Sequence, residues 1–215
     1  MAIDTVIFDF DGTLGDTNDL ILNSWRAAME YAGTPRTDDE ILEHFGEPLT
    51  DTMSLWFGER ADEIVDFFRR WQKGKYFEEL KPFPGMIELI YVLKEKGYHV
   101  GVASSRLWGT LVESMRIFGL DEDVEALVSF EDTEEHKPYP APLLCAMERM
   151  GAKAEKTVYV GDSVVDILCG KAAGTKTCLV AWSMASGSQD LSGEACPDFI
   201  IEKPEDLLRV IAEEV

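Results

Sequence analysis

Short apolar runs alternate along this chain with segments whose apolar residues recur every three or four positions. The first run, residues 3–8, is rich in β-branched side chains, which is typical of a strand buried on both faces of a parallel sheet. The apolar runs predict strands at residues 3–8, 99–103, 126–130, 157–160, 177–182 and 199–201. Helices are predicted after most of the later strands, at residues 107–118, 142–150, 164–173 and 205–213, whereas a loop separates the last two strands. This alternation predicts an α/β fold with a mostly parallel sheet covered by helices on both faces.

The long segment between the first two strands shows helical patterns only. Helices are predicted near residues 17–32, 37–45 and 49–57, and a fourth, carrying the apolar stripe Ile64, Phe67, Phe68 and Trp71, runs toward Leu80. No clear strand is predicted between residues 15 and 81. We therefore expect a core made of residues 1–15 and 82–215, with a small helical domain, residues 16–81, inserted after the first strand. Residues 183–197 are polar and predict an irregular loop.

The composition narrows the class of protein. A chain of 215 residues suits one α/β core with one small inserted domain. The formal net charge of -21 argues against nucleic acid or an anionic membrane as a partner. No apolar run approaches the ~20 residues that span a bilayer, and no basic segment precedes the first strand. We therefore expect a cytoplasmic protein without a secretory signal, whose four cysteines, which lack C-x-x-C spacing, are reduced.

Two carboxylates, Asp9 and Asp11, follow the first predicted strand directly, and Gly12 and Thr13 come next. Ligands of open α/β sheets bind at the carboxyl ends of strands, where these residues are expected. An isolated D-x-D motif more often marks a strand that leaves the core into a polar turn. Matching groups further along the chain favour a functional site here.

Three further polar groups have a suitable position and order. They are Ser104 with Ser105 and Arg106 after the strand 99–103, Lys137 in a proline-rich segment, and Asp162 with Asp166 after the strand 157–160. The S-x-x-D spacing of Ser163 and Asp166 is also typical of a helix capping box, which does not account for Asp162. The strand-end groups should meet at one edge of the sheet.

Several carboxylates at one sheet edge cannot all stay ionised without a cation. A hard divalent ion with oxygen ligands resolves the repulsion, and Mg²⁺ with one or two carboxylates and phosphate oxygens fits best. The three histidines are scattered along the sequence, and no His/Cys cluster favours zinc. The sequence thus predicts a magnesium site.

In this order the four groups resemble the four motifs of the haloacid dehalogenase superfamily of phosphohydrolases, and the resemblance spans nearly the whole chain. It implies a Rossmann-like core and a helical cap over the active site. It also implies hydrolysis of a small phosphate monoester, phosphoglycolate-like, or of pyrophosphate, through an aspartyl-phosphate. The cap turn 45–49 resembles phosphoglycolate phosphatases and related pyrophosphatases, and the stretches 173–182 and 197–201 resemble the pyrophosphatases in particular.

The resemblance implies a role for each motif residue. Asp9 resembles the nucleophile and a metal ligand, and Asp11 the general acid and then base, whose backbone carbonyl also binds Mg²⁺. Ser104 is expected to bind the transferring phosphoryl group, and Lys137 to neutralise Asp9 and phosphate oxygens. The remaining expected roles are metal binding by Asp162, metal binding directly or through water by Asp166, and phosphate or substrate contacts by Gly12, Thr13, Ser105 and Arg106.

One departure from the family pattern concerns the second motif. Family members often carry Thr-Asn-Lys where this chain has Ser104-Ser105-Arg106. Serine keeps the hydroxyl, whereas arginine keeps a cation but offers a planar fork of donors. Contacts to the rest of the substrate therefore stay open.

Two other functions remain possible for these motifs, and the role of one group of basic residues stays open. A sugar phosphomutase, similar to β-phosphoglucomutase, shares the motifs and the cap, and a phospho-accepting binding domain would use similar acids and a lysine. The basic residues Arg69, Arg70, Lys73 and Lys75 either balance nearby acids on a solvated face or meet the non-transferred end of the substrate. We expect a small phosphorylated metabolite or pyrophosphate as partner, and a monomer or weak dimer.

Overall fold

The computed structural model describes residues 2–213 and confirms the α/β fold. Six parallel strands form the central sheet: β1 Thr5–Phe8, β4 His99–Ala103, β5 Ala126–Val128, β6 Thr157–Gly161, β7 Lys176–Val180 and β8 Phe199–Ile201. Their order is β5-β4-β1-β6-β7-β8, so β1 lies inside the sheet between β4 and β6. Two short strands, β2 Gly15–Asp16 and β3 Lys81–Pro82, form a separate antiparallel pair.

Eleven α-helices connect or cover these strands within residues 2–213. Those between β2 and β3 are α1 Asn18–Ala32, α2 Asp38–Leu42, α3 Leu49–Phe57, α4 Ala61–Lys73 and α5 Tyr76–Glu79. The others are α6 Met86–Glu95, α7 Trp108–Phe118, α8 Ala141–Met150, α9 Val164–Ala173, α10 Met184–Ser188 and α11 Asp206–Glu213. No helix among the described residues is long and apolar enough to cross a membrane.

Alternating side chains of β1 serve both faces of the sheet. Val6 and Phe8 pack in an apolar cluster with α6, α7 and α11, whereas Ile7 packs on the other face with α8 and α9. All three side chains are fully buried. The apolar run at residues 3–8 thus contains a strand that is covered on both faces, as predicted, but this strand begins at Thr5.

The inserted helices have an apolar core of their own. Trp25 of α1 lies at its centre, with ring centroids 5.3 Å from Trp56 and 5.5 Å from Phe68. The chain enters and leaves this unit through β2 and β3, which sequence analysis missed because each strand has only two residues. The helix predicted to run toward Leu80 ends at Lys73, and α5 follows after a break at Gly74.

Two other segments differ from their predicted structure. The strand predicted at residues 126–130 ends at Val128, because Ser129 and Asp132 form a capping box for a short 3₁₀ helix. The predicted loop at residues 183–197 contains α10, which begins where the Ser183 hydroxyl accepts a hydrogen bond from the backbone of Ala185. Ala185 is buried in the apolar core of the inserted unit. Tertiary packing thus orders a segment whose composition alone favours a loop.

The turn that precedes α3 touches the core directly. Gly46 has a φ of +87°, and a Cβ at this position would lie 2.4 Å from Ser163 Oγ and 2.9 Å from Val165 Cγ2. Gly33, at the end of α1, has a similar φ of +73°, but a Cβ there would meet nothing within 4 Å. A comparison of Gly46 with Gly33 therefore separates the cost of backbone strain from the cost of a contact with the core.

We expect Gly46→Ala to destabilise the protein more than Gly33→Ala. Both variants place alanine in the left-handed region, which costs about 1 kcal/mol. Only Gly46→Ala also forces the turn away from Ser163, which should add roughly 1 kcal/mol or more. Urea unfolding of both variants measures the difference, and equal free energies of unfolding would contradict the contact.

Candidate active site

The predicted motif residues meet at the carboxyl ends of β1, β4 and β6. A cavity of about 710 Å³ lies between this edge of the sheet and the inserted helices. Seven of the sequence-predicted site residues line it: Asp9, Asp11, Gly12, Ser105, Arg106, Lys137 and Asp162. Asp166, Ser104 and Thr13 are buried behind this lining. The sheet-edge prediction is therefore confirmed as geometry.

Lys137 is the cation at the centre of the site. Its ammonium is buried and lies 2.6 Å from Asp9 Oδ1 and 2.8 Å from Asp166 Oδ1. Burial by itself would lower the pKa of this lysine, but the two carboxylates outweigh it and raise the pKa. Lys137 therefore stays charged and holds Asp9, at the end of β1, and Asp166, in α9, in fixed positions.

Asp166 accepts hydrogen bonds at both carboxylate oxygens. Tyr159 lies 3.0 Å from Oδ1, beside Lys137, while Oδ2 accepts from the Ser163 hydroxyl at 2.6 Å and from the backbone of Ser163 and Asp162. Burial opposes its charge, yet the Lys137 ammonium and these donors lower the pKa of Asp166. The predicted capping box is confirmed, and it fixes Asp166 as an anion.

The pKa values of Asp9 and Asp162 are raised, whereas that of Asp166 is lowered. Burial raises the pKa of Asp9 to about 7, and repulsion from Asp166 and Asp11 adds to this effect while Lys137 opposes it. Burial also raises the pKa of Asp162 well above its usual range, with Asp166 and Asp9 as the next causes. The Ser183 hydroxyl donates to Asp162 Oδ2. The positive charge near these two carboxyl groups is therefore too small to offset their burial.

The donor set fits a divalent cation. Asp9, Asp162 and Asp166 each offer a carboxylate oxygen, and these oxygens lie within 4.8 Å of one another. When all three acids are ionised, Lys137 compensates one of the three negative charges, which leaves a deficit of two positive charges in a buried space. Hard oxygen ligands match Mg²⁺. Because both oxygens of Asp166 already accept hydrogen bonds, Asp9 and Asp162 are the better placed direct ligands.

Asp11 is tied to the segments through which the chain enters and leaves the inserted unit. Its Oδ1 accepts a hydrogen bond from Arg106 Nη2 at 2.5 Å and from Thr17 Oγ1 at 2.6 Å. Arg106 in turn lies 4.2 Å from the ring centroid of Tyr76 in α5, whose pKa burial raises to about 12. Thr17 occupies the N-cap position of α1, but its side chain does not cap the helix. Thr17 and Tyr76 were not predicted, since nothing in their local sequence marks these distant contacts.

Gly12 lies close to Asp162, and its predicted contact with phosphate stays a prediction. Its φ is +70°, and a Cβ would lie 2.0 Å from Asp162 Oδ2, so only glycine fits here. Ser104 accepts a hydrogen bond from the backbone of Arg106 at 3.3 Å and is almost fully buried. Thr13 Oγ1 is also buried and has no hydrogen-bond partner among residues 2–213. Phosphate contacts by Ser104 and Thr13 stay predictions.

The basic residues of the inserted unit separate into two pairs. Arg69 and Lys73 line the cavity, whereas Arg70 and Lys75 do not. Lys75 Nζ lies 4.0 Å from the ring centroid of Trp71. Although acids outnumber basic residues by 41 to 20, none of these four side chains forms an ion pair within residues 2–213. Of the four, Arg69 and Lys73 are therefore the candidates for a ligand contact, which stays a prediction.

The geometry and the motifs identify a class of protein. The family model of the haloacid dehalogenase-like hydrolases matches residues 6–180, so the chain belongs to this family and is a hydrolase. The family resemblance seen in the motifs is thereby confirmed. The chain is 36% identical over 213 residues to the pyrophosphatase PpaX of Halalkalibacterium halodurans, with 98% of each chain covered. It is 32% identical to PpaX of Bacillus pumilus, over 98% of this chain and 97% of the relative.

Solved structures support the fold independently. The structure of a predicted phosphatase from Clostridium acetobutylicum has a TM-score of 0.86 and 23% identity, over 99% of this chain and 100% of that one. A predicted phosphoglycolate phosphatase from Haemophilus somnus has a TM-score of 0.78 and 21% identity, over 97% of both chains. At 23% and 21% identity these similarities support the fold alone, and they extend over both the core and the insert.

We expect Asp162→Asn and Asp166→Asn to change the stability of the metal-free protein in opposite directions. At about pH 8 the unfolded chain has an ionised Asp162, so folding either buries that charge or binds a proton, and asparagine avoids both. Asp162→Asn should raise the Tm by about 2–4 °C. Asp166→Asn removes an anion bonded to Lys137 and should lower the Tm by about 6 °C or more.

Thermal unfolding in EDTA measures both effects. Because the two substitutions are the same and both positions are buried, each variant is the control for the other. A fall in Tm for Asp162→Asn as large as that for Asp166→Asn would contradict the assigned charges.

Proposed function

We propose that this chain is a Mg²⁺-dependent phosphohydrolase that cleaves a small phosphate monoester or pyrophosphate through an aspartyl-phosphate on Asp9. The observation that carries the proposal is the position of Asp9 at the base of the cavity, beside Lys137 and within reach of Asp162. Membership of the hydrolase family and the similarity to PpaX support it. The insert, residues 16–81, serves as the cap over this cavity.

The residues of the site can divide the reaction into two displacements. Lys137 holds Asp9 Oδ1, while the other oxygen of Asp9 accepts no hydrogen bond within residues 2–213 and is free to attack phosphorus. As the new bond between Asp9 and phosphorus forms, the bond from phosphorus to the leaving oxygen breaks, and Asp11 gives that oxygen a proton. Asp11 then takes a proton from water, whose oxygen bonds to phosphorus and releases Asp9.

A bound Mg²⁺ would supply charge neutralisation for the phosphoryl oxygens and for the acids around it. Asp9, Asp162 and the backbone carbonyl of Asp11 would hold it. Asp166 would act behind them, because its anion orients Lys137 and its side chain bonds the backbone of Asp162. In this assignment Asp162 binds the metal directly, whereas Asp166 acts on it only indirectly.

The charges of the cavity favour a substrate with a second anionic group. The net charge of -21 repels such a substrate at long range, so local cations must bind it. Arg69 and Lys73 come from the cap, and Arg106 comes from the core. Because Arg106 is already bonded to Asp11, the two cap residues are the lining cations that lack an ionic partner within residues 2–213. Pyrophosphate, or a small phosphorylated acid, has a second charge that these cations could bind.

We expect Asp9→Asn to abolish turnover while the fold is retained. Asparagine is nearly isosteric but is a poor nucleophile, so kcat with pyrophosphate or p-nitrophenyl phosphate should fall by at least ~10³-fold. EDTA should abolish the activity of the unchanged protein, and Mg²⁺ should restore it. A folded Asp9→Asn variant with more than about a hundredth of the normal kcat would contradict the nucleophile assignment.

We expect the double variant Arg69→Gln/Lys73→Gln to lose selectivity for doubly charged substrates. Its kcat/KM for pyrophosphate should fall by about tenfold or more, because each lost charge contact removes roughly 1 kcal/mol of binding. The kcat/KM for p-nitrophenyl phosphate should change by less than about threefold. The matched control is Arg70→Gln/Lys75→Gln, which removes two charges from the same part of the cap but outside the cavity lining.

Two results would count against this substrate class. Equal losses in both double variants would mean that general charge, and not a cavity contact, sets the selectivity. A neutral sugar phosphate that exceeds pyrophosphate in kcat/KM by about tenfold would contradict the doubly charged substrate class and leave the phosphohydrolase proposal intact. The phosphohydrolase proposal itself depends on the Asp9→Asn result.

A further inference from the structure

One core side chain bonds directly to the cap backbone. Gln189 follows α10, and its amide nitrogen lies 3.1 Å from the carbonyl oxygen of Leu42, 3.2 Å from that of Glu43 and 3.0 Å from that of Phe45. Its amide oxygen accepts a hydrogen bond from the backbone of Val164 at 2.8 Å. A single neutral side chain therefore bridges the cap and the first residue of α9.

Both bonded groups lie at helix ends, although the Leu42 carbonyl also accepts a hydrogen bond from the backbone of Phe45 at 3.2 Å. Leu42 is the last residue of α2, and the carbonyl groups of a final helical turn lack donor partners within the helix. Val164 is the first residue of α9, whose first amide groups also lack partners. Gln189 has both a donor and an acceptor at the right separation to serve both helix ends at once.

The rest of the same segment also joins the cap to the site. Ser183, five residues before the end of α10, bonds to Asp162 on one side and lies 3.1 Å from Asn18 Oδ1 at the start of α1. Ala185 is buried in the apolar core of the cap. The 183–189 segment therefore contacts a metal-site carboxylate, the start of α9 and the cap.

We propose that Gln189 is a positioning residue that holds the cap turn, residues 42–47, against the start of α9 and so keeps the cap closed over the catalytic carboxylates. This turn supplies His44, Phe45, Gly46 and Glu47 to the cavity lining. Movement of the turn away from the core would open the cavity wall beside Asp162. That movement breaks the hydrogen bonds of Gln189. Because these bonds form only when the turn lies against the core, they shift the equilibrium toward the closed form.

The effect of Gln189 on catalysis rests on the proposed phosphohydrolase function. If the closed form binds substrate, a smaller closed population lowers the apparent affinity by the same factor. Removal of Gln189 should therefore raise KM and leave kcat nearly unchanged, because no atom of Gln189 lines the cavity or contacts the catalytic groups. The effect on cap position does not depend on the substrate at all.

Two substitutions separate the two halves of the bridge. Gln189→Leu removes both the donor and the acceptor. Gln189→Glu keeps an acceptor for Val164 but replaces the donor with an oxygen that repels the cap carbonyl groups. The matched control is Ser188→Ala, one position earlier, because the exposed Ser188 hydroxyl bonds only within α10.

Amide hydrogen exchange followed by NMR, without substrate, tests the bridge directly. In Gln189→Leu the amides of residues 43–47 and of Val164 should exchange about tenfold faster or more. In Gln189→Glu the amides of residues 43–47 should do the same, while Val164 stays protected. Amides of β1 should be unchanged in both, and Ser188→Ala should leave every one of these regions unchanged.

Two exchange results would overturn the proposal. Unchanged exchange at residues 43–47 in Gln189→Leu would mean that the cap turn is held by other contacts. A uniform increase that includes β1 would mean a general loss of stability and no specific role in cap position. With pyrophosphate, KM should rise about tenfold in both variants and kcat should change less than about twofold. A protein that hydrolyses no phosphate compound would refute the proposed function but leave the exchange result intact.

Discussion

One buried ammonium among three buried carboxylates is the constraint on which the site depends. Lys137 joins Asp9, at the end of β1, to Asp166, in α9, and it leaves Asp162 without a bonded cation among the described residues. Burying these charged side chains away from water costs free energy unless opposite charges compensate them. The hydrogen bonds around Asp166 satisfy one acid completely and concentrate the remaining deficit on Asp9 and Asp162. The fold thus separates one acid that fixes positions from two acids whose burial is not offset by nearby positive charge, and these two are the proposed metal ligands.

The cap depends on the same carboxylates through a small set of polar contacts. Asp11 is bonded to Thr17, next to β2, and through Arg106 it is linked to Tyr76, shortly before β3. Asp162 is bonded to Ser183, the residue from which α10 begins. Each of these contacts connects an acid that follows a strand to a segment that enters, leaves or supports the cap. The position of the cap and the orientation of the acids are therefore set by shared groups and not by separate parts of the molecule.

The sequence predicted the sheet, most of the helices and the motif residues, because each leaves a local pattern. Asp9 and Asp162 follow apolar strands directly, and the parallel topology then brings them together without further information. Thr17, Tyr76, Ser183 and Gln189 left no comparable pattern, since their roles arise from partners far away in the chain. Gln189 and Leu42, for example, are 147 positions apart. The helix α10 was missed for the same reason, because its residues favour a loop until Ala185 packs into the cap.

The contact between Ser183 and Asp162 also relates metal binding to cap position. A hydroxyl group donates a stronger hydrogen bond to an ionised carboxylate than to a neutral one. Without a cation, burial favours the neutral form of Asp162 by raising its pKa, whereas a cation at the cluster favours the ionised form. The form of Asp162 that binds a cation is therefore the form that best holds Ser183, and Ser183 begins the segment that ends at Gln189. If Asp162 holds the proposed cation and Gln189 holds the cap as proposed, cation binding and closure of the cap would stabilise each other through this one carboxylate.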